Sequence, residues 1–185
     1  MDPDGEVAYV TNSALDIIQI INLDDSIIQA TVPTGDAPIG IAYSPDTRLL
    51  AVANSAENTI SIIDRVTLEL INTIPVAVAP FDVVFMDDSN TLYVSATLGR
   101  GVSVVDVADR RITEFLTACS APRDMAVTLD YAYLYVTCED ADTLAIFNTA
   151  DTAEVKFIGV ASQPWAWPSR RTTDGRSSPA AGPTW

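Results

Sequence analysis

Four tetrapeptides begin 42 residues apart: Tyr-Val-Thr-Asn at Tyr9, Ala-Val-Ala-Asn at Ala51, Tyr-Val-Ser-Ala at Tyr93 and Tyr-Val-Thr-Cys at Tyr135. Two further columns keep the same spacing, one of Pro38, Pro80, Pro122 and Pro164, the other of Asn22, Asp64, Asp106 and Asn148. Three independent columns in one register define an internal repeat, and a period of this length restricts the chain to architectures that stack one supersecondary unit on copies of itself.

The content of one period narrows the choice. In residues 37–76, four apolar runs are separated by Ser-Pro-Asp, Asn-Ser-Ala-Glu-Asn and Asp-Arg. Each run is short and rich in Val, Ile or Tyr, so each reads as a strand, and loops this short join strands into an antiparallel meander. Runs such as Ile-Ile-Gln-Ile-Ile (17–21) and Ser-Val-Val-Asp-Val (103–107) are apolar on both faces, as in a sheet covered on both sides. A four-stranded meander of this length, covered on both faces by copies of itself, is a propeller blade, and the fold class expected is an all-β β-propeller.

The motifs Tyr-Val-Thr-Asn at 9–12, Ala-Pro-Ile-Gly-Ile-Ala-Tyr-Ser-Pro-Asp at 37–46 and Asn-Thr-Ile-Ser-Ile-Ile-Asp at 58–64 resemble the YVTN family of β-propeller repeats. The resemblance covers residues 3 to about 165. It implies a surface-layer or other extracytoplasmic protein of archaea or bacteria. It leaves the activity open, since propellers serve as binding scaffolds, lactonases and redox proteins alike.

Counting strands in register predicts a partial propeller over 1–168, with blades at about 3–33, 38–76, 80–117 and 122–160 and the start of another at 164–168. Pro3-Asp4 stands 42 residues before Pro45-Asp46, so the first blade lacks its innermost strand, while the next three are complete. An open arc is expected. The alternative is a four-bladed ring in which 164–168 supply the missing strand, and Pro168 argues against it because a central strand needs the N–H that proline lacks. Residues 169–185 carry no apolar alternation and read as a disordered or out-of-frame tail; codons for 166–185 shifted by two nucleotides permit Val-Ala-Val-Thr-Pro-Asp-Asp-Gly-Arg, close to the repeat. Open end blades would expose apolar faces, so self-association is expected.

Composition excludes several functions. The chain has 185 residues, 48% of them hydrophobic, and a formal charge of −15, with 24 acidic and 7 basic side chains in residues 1–163. So acidic a body repels a phosphate backbone, and nucleic acid is not an expected partner. Lys156 is the only lysine, a bias that suits high salt or an extracellular setting and that a GC-rich genome would also produce. There is no histidine, which removes the usual general base and the usual zinc and haem ligand. No apolar run is long enough for a membrane-spanning helix, and no signal peptide is present in the chain.

Candidate site residues follow from the repeat. Two residues after each periodic proline stand Gly40, Asp82, Asp124 and Ala166. Asp82 and Asp124, with Arg123, are expected at the mouth of a central channel as a site for a cation or polar ligand; the alternative is that they are strand-entry residues bonding local backbone N–H groups. Asn12 and Asn54 read as loop caps, and Asn22, Asp64, Asp106 and Asn148 as turn residues. The acidic loop of Glu139, Asp140 and Asp142 lacks the glycine and length of a calcium loop. Cys119 and Cys138 flank strands whose ends fall on one face, so they form either a disulfide suited to an oxidising compartment or two separate thiols. Trp165 and Trp167 resemble a carbohydrate platform, but one reads more simply as packing between blades and the other as a product of the shifted frame. No resident metal, cofactor or catalytic residue is assigned. The expectation is a non-catalytic binding or scaffold propeller with a protein or small-molecule ligand on its loop face; the alternatives are a fragment of a seven-bladed lactonase-like hydrolase or of a haem- or quinone-binding redox propeller.

Overall fold

The computed structural model describes residues 5–153 and 155–160, and the expectations placed on Pro3-Asp4, 164–168, Trp165, Trp167 and the 169–185 tail lie outside them. Fifteen strands form four antiparallel sheets, each in sequence order. Blade 1 contains β1 (Val7–Asn12), β2 (Ile17–Asn22) and β3 (Ile27–Pro33). Blade 2 contains β4 (Pro38–Tyr43), β5 (Leu49–Asn54), β6 (Thr59–Asp64) and β7 (Leu70–Pro75). Blade 3 contains β8 (Pro80–Phe85), β9 (Thr91–Ala96), β10 (Gly101–Asp106) and β11 (Arg111–Thr117). Blade 4 contains β12 (Pro122–Val127), β13 (Tyr133–Cys138), β14 (Thr143–Asn148) and β15 (Val155–Gly159). The innermost strands β4, β8 and β12 are neighbours in turn. Among the described residues no helix is long and apolar enough to cross a membrane.

The turns close because short polar side chains replace missing backbone partners. Asn22 Oδ1 accepts N–H bonds from Asp24 and Asp25, Asp64 Oδ1 from Val66 and Thr67, Asp106 Oδ1 from Asp109, and Asn148 Oδ1 from Ala150. These Asx turns hold the ends of the third strands. A register shift recurs at Ile20/Ile21, Ile62/Ile63 and Val104/Val105, at the same place in blades 1, 2 and 3.

Every non-glycine residue with positive φ falls into four columns of the repeat: Asp16, Asn58, Arg100, Asp142; Ser26, Leu68, Arg110; Ala37, Ala79, Ala121; and Thr47, Ser89, Tyr131. Left-handed backbone is unfavourable for a residue with a Cβ. Here it is enforced by periodic bonds across each loop, such as Ala37 N–H to Asp16 Oδ1 and Ala79 N–H to Asn58 Oδ1. Arg110→Gly, at an exposed position with φ 59°, is expected to raise stability by about 0.5 kcal/mol in urea unfolding. Leu68→Gly in the same column should not, because Leu68 packs on the blade 1–blade 2 core.

Three apolar clusters occupy the three seams. Ile18, Ile20 and Val32 meet Leu50, Val52 and Ile63 between blades 1 and 2. Ile60, Ile62 and Ile74 meet Val83, Phe85, Leu92, Val94 and Val105 between blades 2 and 3. Tyr93, Val102, Val104 and Leu116 meet Met125, Leu134, Val136 and Phe147 between blades 3 and 4. No apolar cluster among the described residues joins blade 4 to blade 1.

Candidate functional site

The innermost strands share an irregularity that positions the column of Gly40, Asp82 and Asp124. Pro38, Pro80 and Pro122 pair with Asn54, Ala96 and Cys138, and pairing resumes at Ile41, Val83 and Met125, leaving one extra residue on each inner strand. A bulge frees backbone groups from the ladder. The facing strand satisfies them with hydroxyls: Asp82 N–H donates to Ser95 Oγ (2.9 Å), and Thr137 Oγ1 donates to the Asp124 carbonyl (3.2 Å).

At Asp82 the bulge turns a carboxylate into a connector between blades. Its Oδ1 accepts the Val83 N–H (2.9 Å), and its Oδ2 accepts the Met125 N–H from β12 (2.8 Å). Burial pushes the Asp82 carboxyl up to about 7, against the two N–H bonds that favour the ionised form; the nearby Asp124 carboxylate pushes it in the same direction as burial. Gly40, in the same column, serves the seam differently: a Cβ there would stand 2.4 Å from the Phe81 carbonyl oxygen and 2.8 Å from Asp82 Cα, so glycine permits the close approach of β4 to β8.

Arg123 Nε donates to Glu139 just past the end of β13, and its guanidinium lies 4.6 Å from the Phe81 ring centroid. Glu139 begins a short 3₁₀ turn (Glu139–Ala141), which the sequence reading had as an irregular loop. Among the described residues no group of three or more acids or cysteines is arranged to hold a metal ion. Cys119 and Cys138 are joined by a disulfide with a Cα–Cα distance of 5.9 Å, tying the segment before β12 to the end of β13. Asn12 caps its loop by accepting from Ala14 and Leu15 N–H. Asn54 departs from that expectation: it is fully buried, its Nδ2 donates to Thr59 Oγ1 and Ser61 Oγ (2.9 Å each), and its Oδ1 has no partner.

Sequence reasoning missed a concavity on the inner strands. A groove of about 590 Å³ runs along the C-terminal halves of the inner strands, lined by Tyr43, Phe85 and Val127 with Tyr9, Pro45 and Tyr131. The signal was available in the repeat, since Tyr43, Phe85 and Val127 all stand five residues after a periodic proline. The lining includes Val83 and Val84 immediately beyond Asp82, so the bulge forms the rigid shoulder of the groove, and Asp82 itself is not part of the lining.

No protein-family model matches the sequence, and no curated protein matches it. Solved structures do. Kuenenia stuttgartiensis hydrazine synthase superposes with a TM-score of 0.77 at 19% identity, over 88% of this chain and 49% of that one. The dihydro-heme d1 dehydrogenase NirN, in complex with DHE, gives 0.68 at 19% identity, over 84% and 35%. A 6-phosphogluconolactonase-like protein of Bacteroides uniformis gives 0.72 at 19% identity, over 87% and 54%. The chain therefore spans about half or less of the length of these relatives in structure. Likeness at this identity bears on the fold alone, and with the four consecutive-strand sheets it makes the fold a β-propeller.

Proposed function

We propose that this chain is part of a YVTN-like extracytoplasmic propeller that binds a small uncharged molecule in the inner-strand groove and does no covalent chemistry on it. The observation that carries this reading is the lining: three tyrosines and a phenylalanine, with Pro45, Thr47 and aliphatic side chains, and no acid or base among them. Aromatic faces stack on flat or ring-shaped ligands, and tyrosine hydroxyls give them orientation. The Cys119–Cys138 bond supports an oxidising compartment. Calorimetric titration with neutral sugars, sugar lactones and aromatic alcohols should find a ligand whose binding Tyr43→Ala weakens about tenfold, a loss of roughly 1.4 kcal/mol.

Likeness to a lactonase-like protein and to a haem d1 dehydrogenase favours a second reading, a hydrolase or redox propeller. Its catalytic groups would then stand in blades beyond this chain. Hydrolysis of a sugar lactone, or a visible absorbance band on adding haem, would replace the binding reading with this one.

A further inference from the structure

We infer that the loop face of blade 3, where it meets blade 4, binds a carboxylate carried on an apolar body, with Arg100 and Arg123 holding the charge and Val78, Phe81 and Leu98 the rest. Three of these five residues depart from what the repeat places in the other blades. Arg100 departs most. Its column otherwise holds Asp16, Asn58 and Asp142, short residues that tolerate the left-handed backbone adopted here (φ 63° at Arg100). Asp16 and Asn58 also accept the N–H of Ala37 and Ala79, closing each loop onto the next blade. Arginine carries no acceptor, so Ala121 N–H, the counterpart of those two, finds none at this position. Blade 3 therefore gives up a structural bond and takes on backbone strain to place a guanidinium at the seam, where its Nη2 donates to Ser120 Oγ (3.0 Å).

The adjoining loop positions change in the same blade. Val78 stands where the other blades have Asp36 and Ser120, and Leu98 where they have Ala14, Ala56 and Asp140. Both are exposed, at 51% and 71%, and neither belongs to a core cluster. Gly99 N–H donates to the Val78 carbonyl (3.1 Å), which holds the two loops side by side. Beside a cation, exposed aliphatic side chains supply the wall that the apolar part of a ligand covers.

Arg123 completes the site from blade 4. Thr97 Oγ1 donates to the Pro122 carbonyl (3.1 Å), which sets the start of β12 against the Leu98 loop. Phe81 of blade 3 stacks on the Arg123 guanidinium and Glu139 takes its Nε, so its plane and one edge are both fixed. Held in that way, a guanidinium presents its Nη atoms as a planar fork, and such a fork matches the two oxygens of a carboxylate. Residues 1–163 contain 24 acidic and only 7 basic side chains, so two arginines brought to one seam mark a place for an anion. The anion is a singly charged one, since a polyanion would meet the repulsion of the remaining surface. This site stands at the opposite end of the inner strands from the groove and does not rest on the reading given to it.

The test titrates the isotope-labelled full 185-residue chain with phenylacetate, its neutral amide phenylacetamide, and acetyl-leucyl-phenylalanine, followed by NMR. Phenylacetate is expected to shift the backbone signals of Leu98, Gly99, Arg100 and Arg123, and phenylacetamide at the same concentration to leave them in place. Arg123→Gln should weaken binding about tenfold. Arg100→Asn should weaken it too while raising the urea midpoint, because asparagine restores an acceptor for Ala121 N–H and tolerates the left-handed backbone. A residue with a purely structural role would not exchange binding for stability. The peptide separates two sources of the carboxylate: tighter binding than phenylacetate indicates the carboxyl terminus of a partner protein, weaker binding a free organic acid. Four results overturn the inference: no shifts from either acid, equal shifts from acid and amide, shifts centred on Tyr43 and Phe85 in the groove, or an Arg100→Asn variant that binds phenylacetate as the wild type does.

Discussion

The Cys119→Ala, Cys138→Ala double variant is expected to lose about 3 kcal/mol of stability, lowering the unfolding midpoint by roughly 6–12 °C. The two cysteines are 19 residues apart in sequence, and closing a loop of that size in the unfolded chain removes conformations that the reduced chain regains. Blade 4 depends on the link more than an inner blade would, because it has one seam among the described residues instead of two. Cys138 is fully buried, so alanine is the appropriate replacement; serine would add a hydroxyl to an apolar cluster. Differential scanning calorimetry of the double variant and of wild type reduced with a strong thiol should give matching decreases. Unchanged midpoints in both would mean that the bond adds nothing to what the blade 3–blade 4 seam already holds.

Asp82→Asn is expected to reverse its effect with pH, destabilising the protein near pH 5 and stabilising it near pH 8, with a swing of about 2 kcal/mol between the two. The ordinary value for an aspartate carboxyl is 3.8, and in the folded protein burial raises that of Asp82 to about 7. Between those values the folded protein holds a proton that the unfolded chain has released, so the contribution of Asp82 to stability falls as pH rises and levels off above the folded value. Asparagine carries no charge at any pH and escapes this loss. It has one acceptor oxygen where Asp82 uses two, for Val83 and Met125, and the bond it forfeits accounts for the deficit in acid. Asp64 and Asp106 work in the opposite direction: N–H bonds from Thr67 and Asp109 hold their carboxyls below the usual range, and their contribution disappears as pH falls through it. Urea unfolding of wild type and variant at both pH values measures the crossover. Parallel curves would mean that Asp82 is ionised throughout and acts only as a bond acceptor.

The strands were legible because their information is local and repeated. Columns of proline, of Tyr-Val and of Asx mark where strands start and stop, and four copies average out the accidents of any one. The left-handed positions were not legible. Leu68, Arg110 and Tyr131 have no preference for positive φ, and they adopt it because the loop bonds around them leave no other path. The bulge at Asp82 and Asp124 was invisible for a related reason: an extra residue in a strand leaves no trace in composition, only in the partner's register. Placing Asp82 and Asp124 on the innermost strands needed only the repeat, whereas the bond from Asp82 to Met125 N–H needed the seam. Asn54 shows the limit of column reasoning. It shares a column with Asn12, but Thr59 and Ser61 stand where blade 1 has Ile17 and Gln19, and their hydroxyls accept from Asn54 and draw it away from its loop.

Among the described residues every sheet is made from one uninterrupted stretch of chain. During synthesis a blade can therefore close as soon as its own segment has left the ribosome, waiting for nothing downstream. Growth by whole blades leaves the nascent chain displaying one unfinished apolar face, the kind formed by Ile60, Ile62 and Ile74 before blade 3 packs on it. Two ribosomes translating the same message side by side would hold such faces near their mates, so the seams that build the arc are also the places where neighbouring nascent chains can exchange partners.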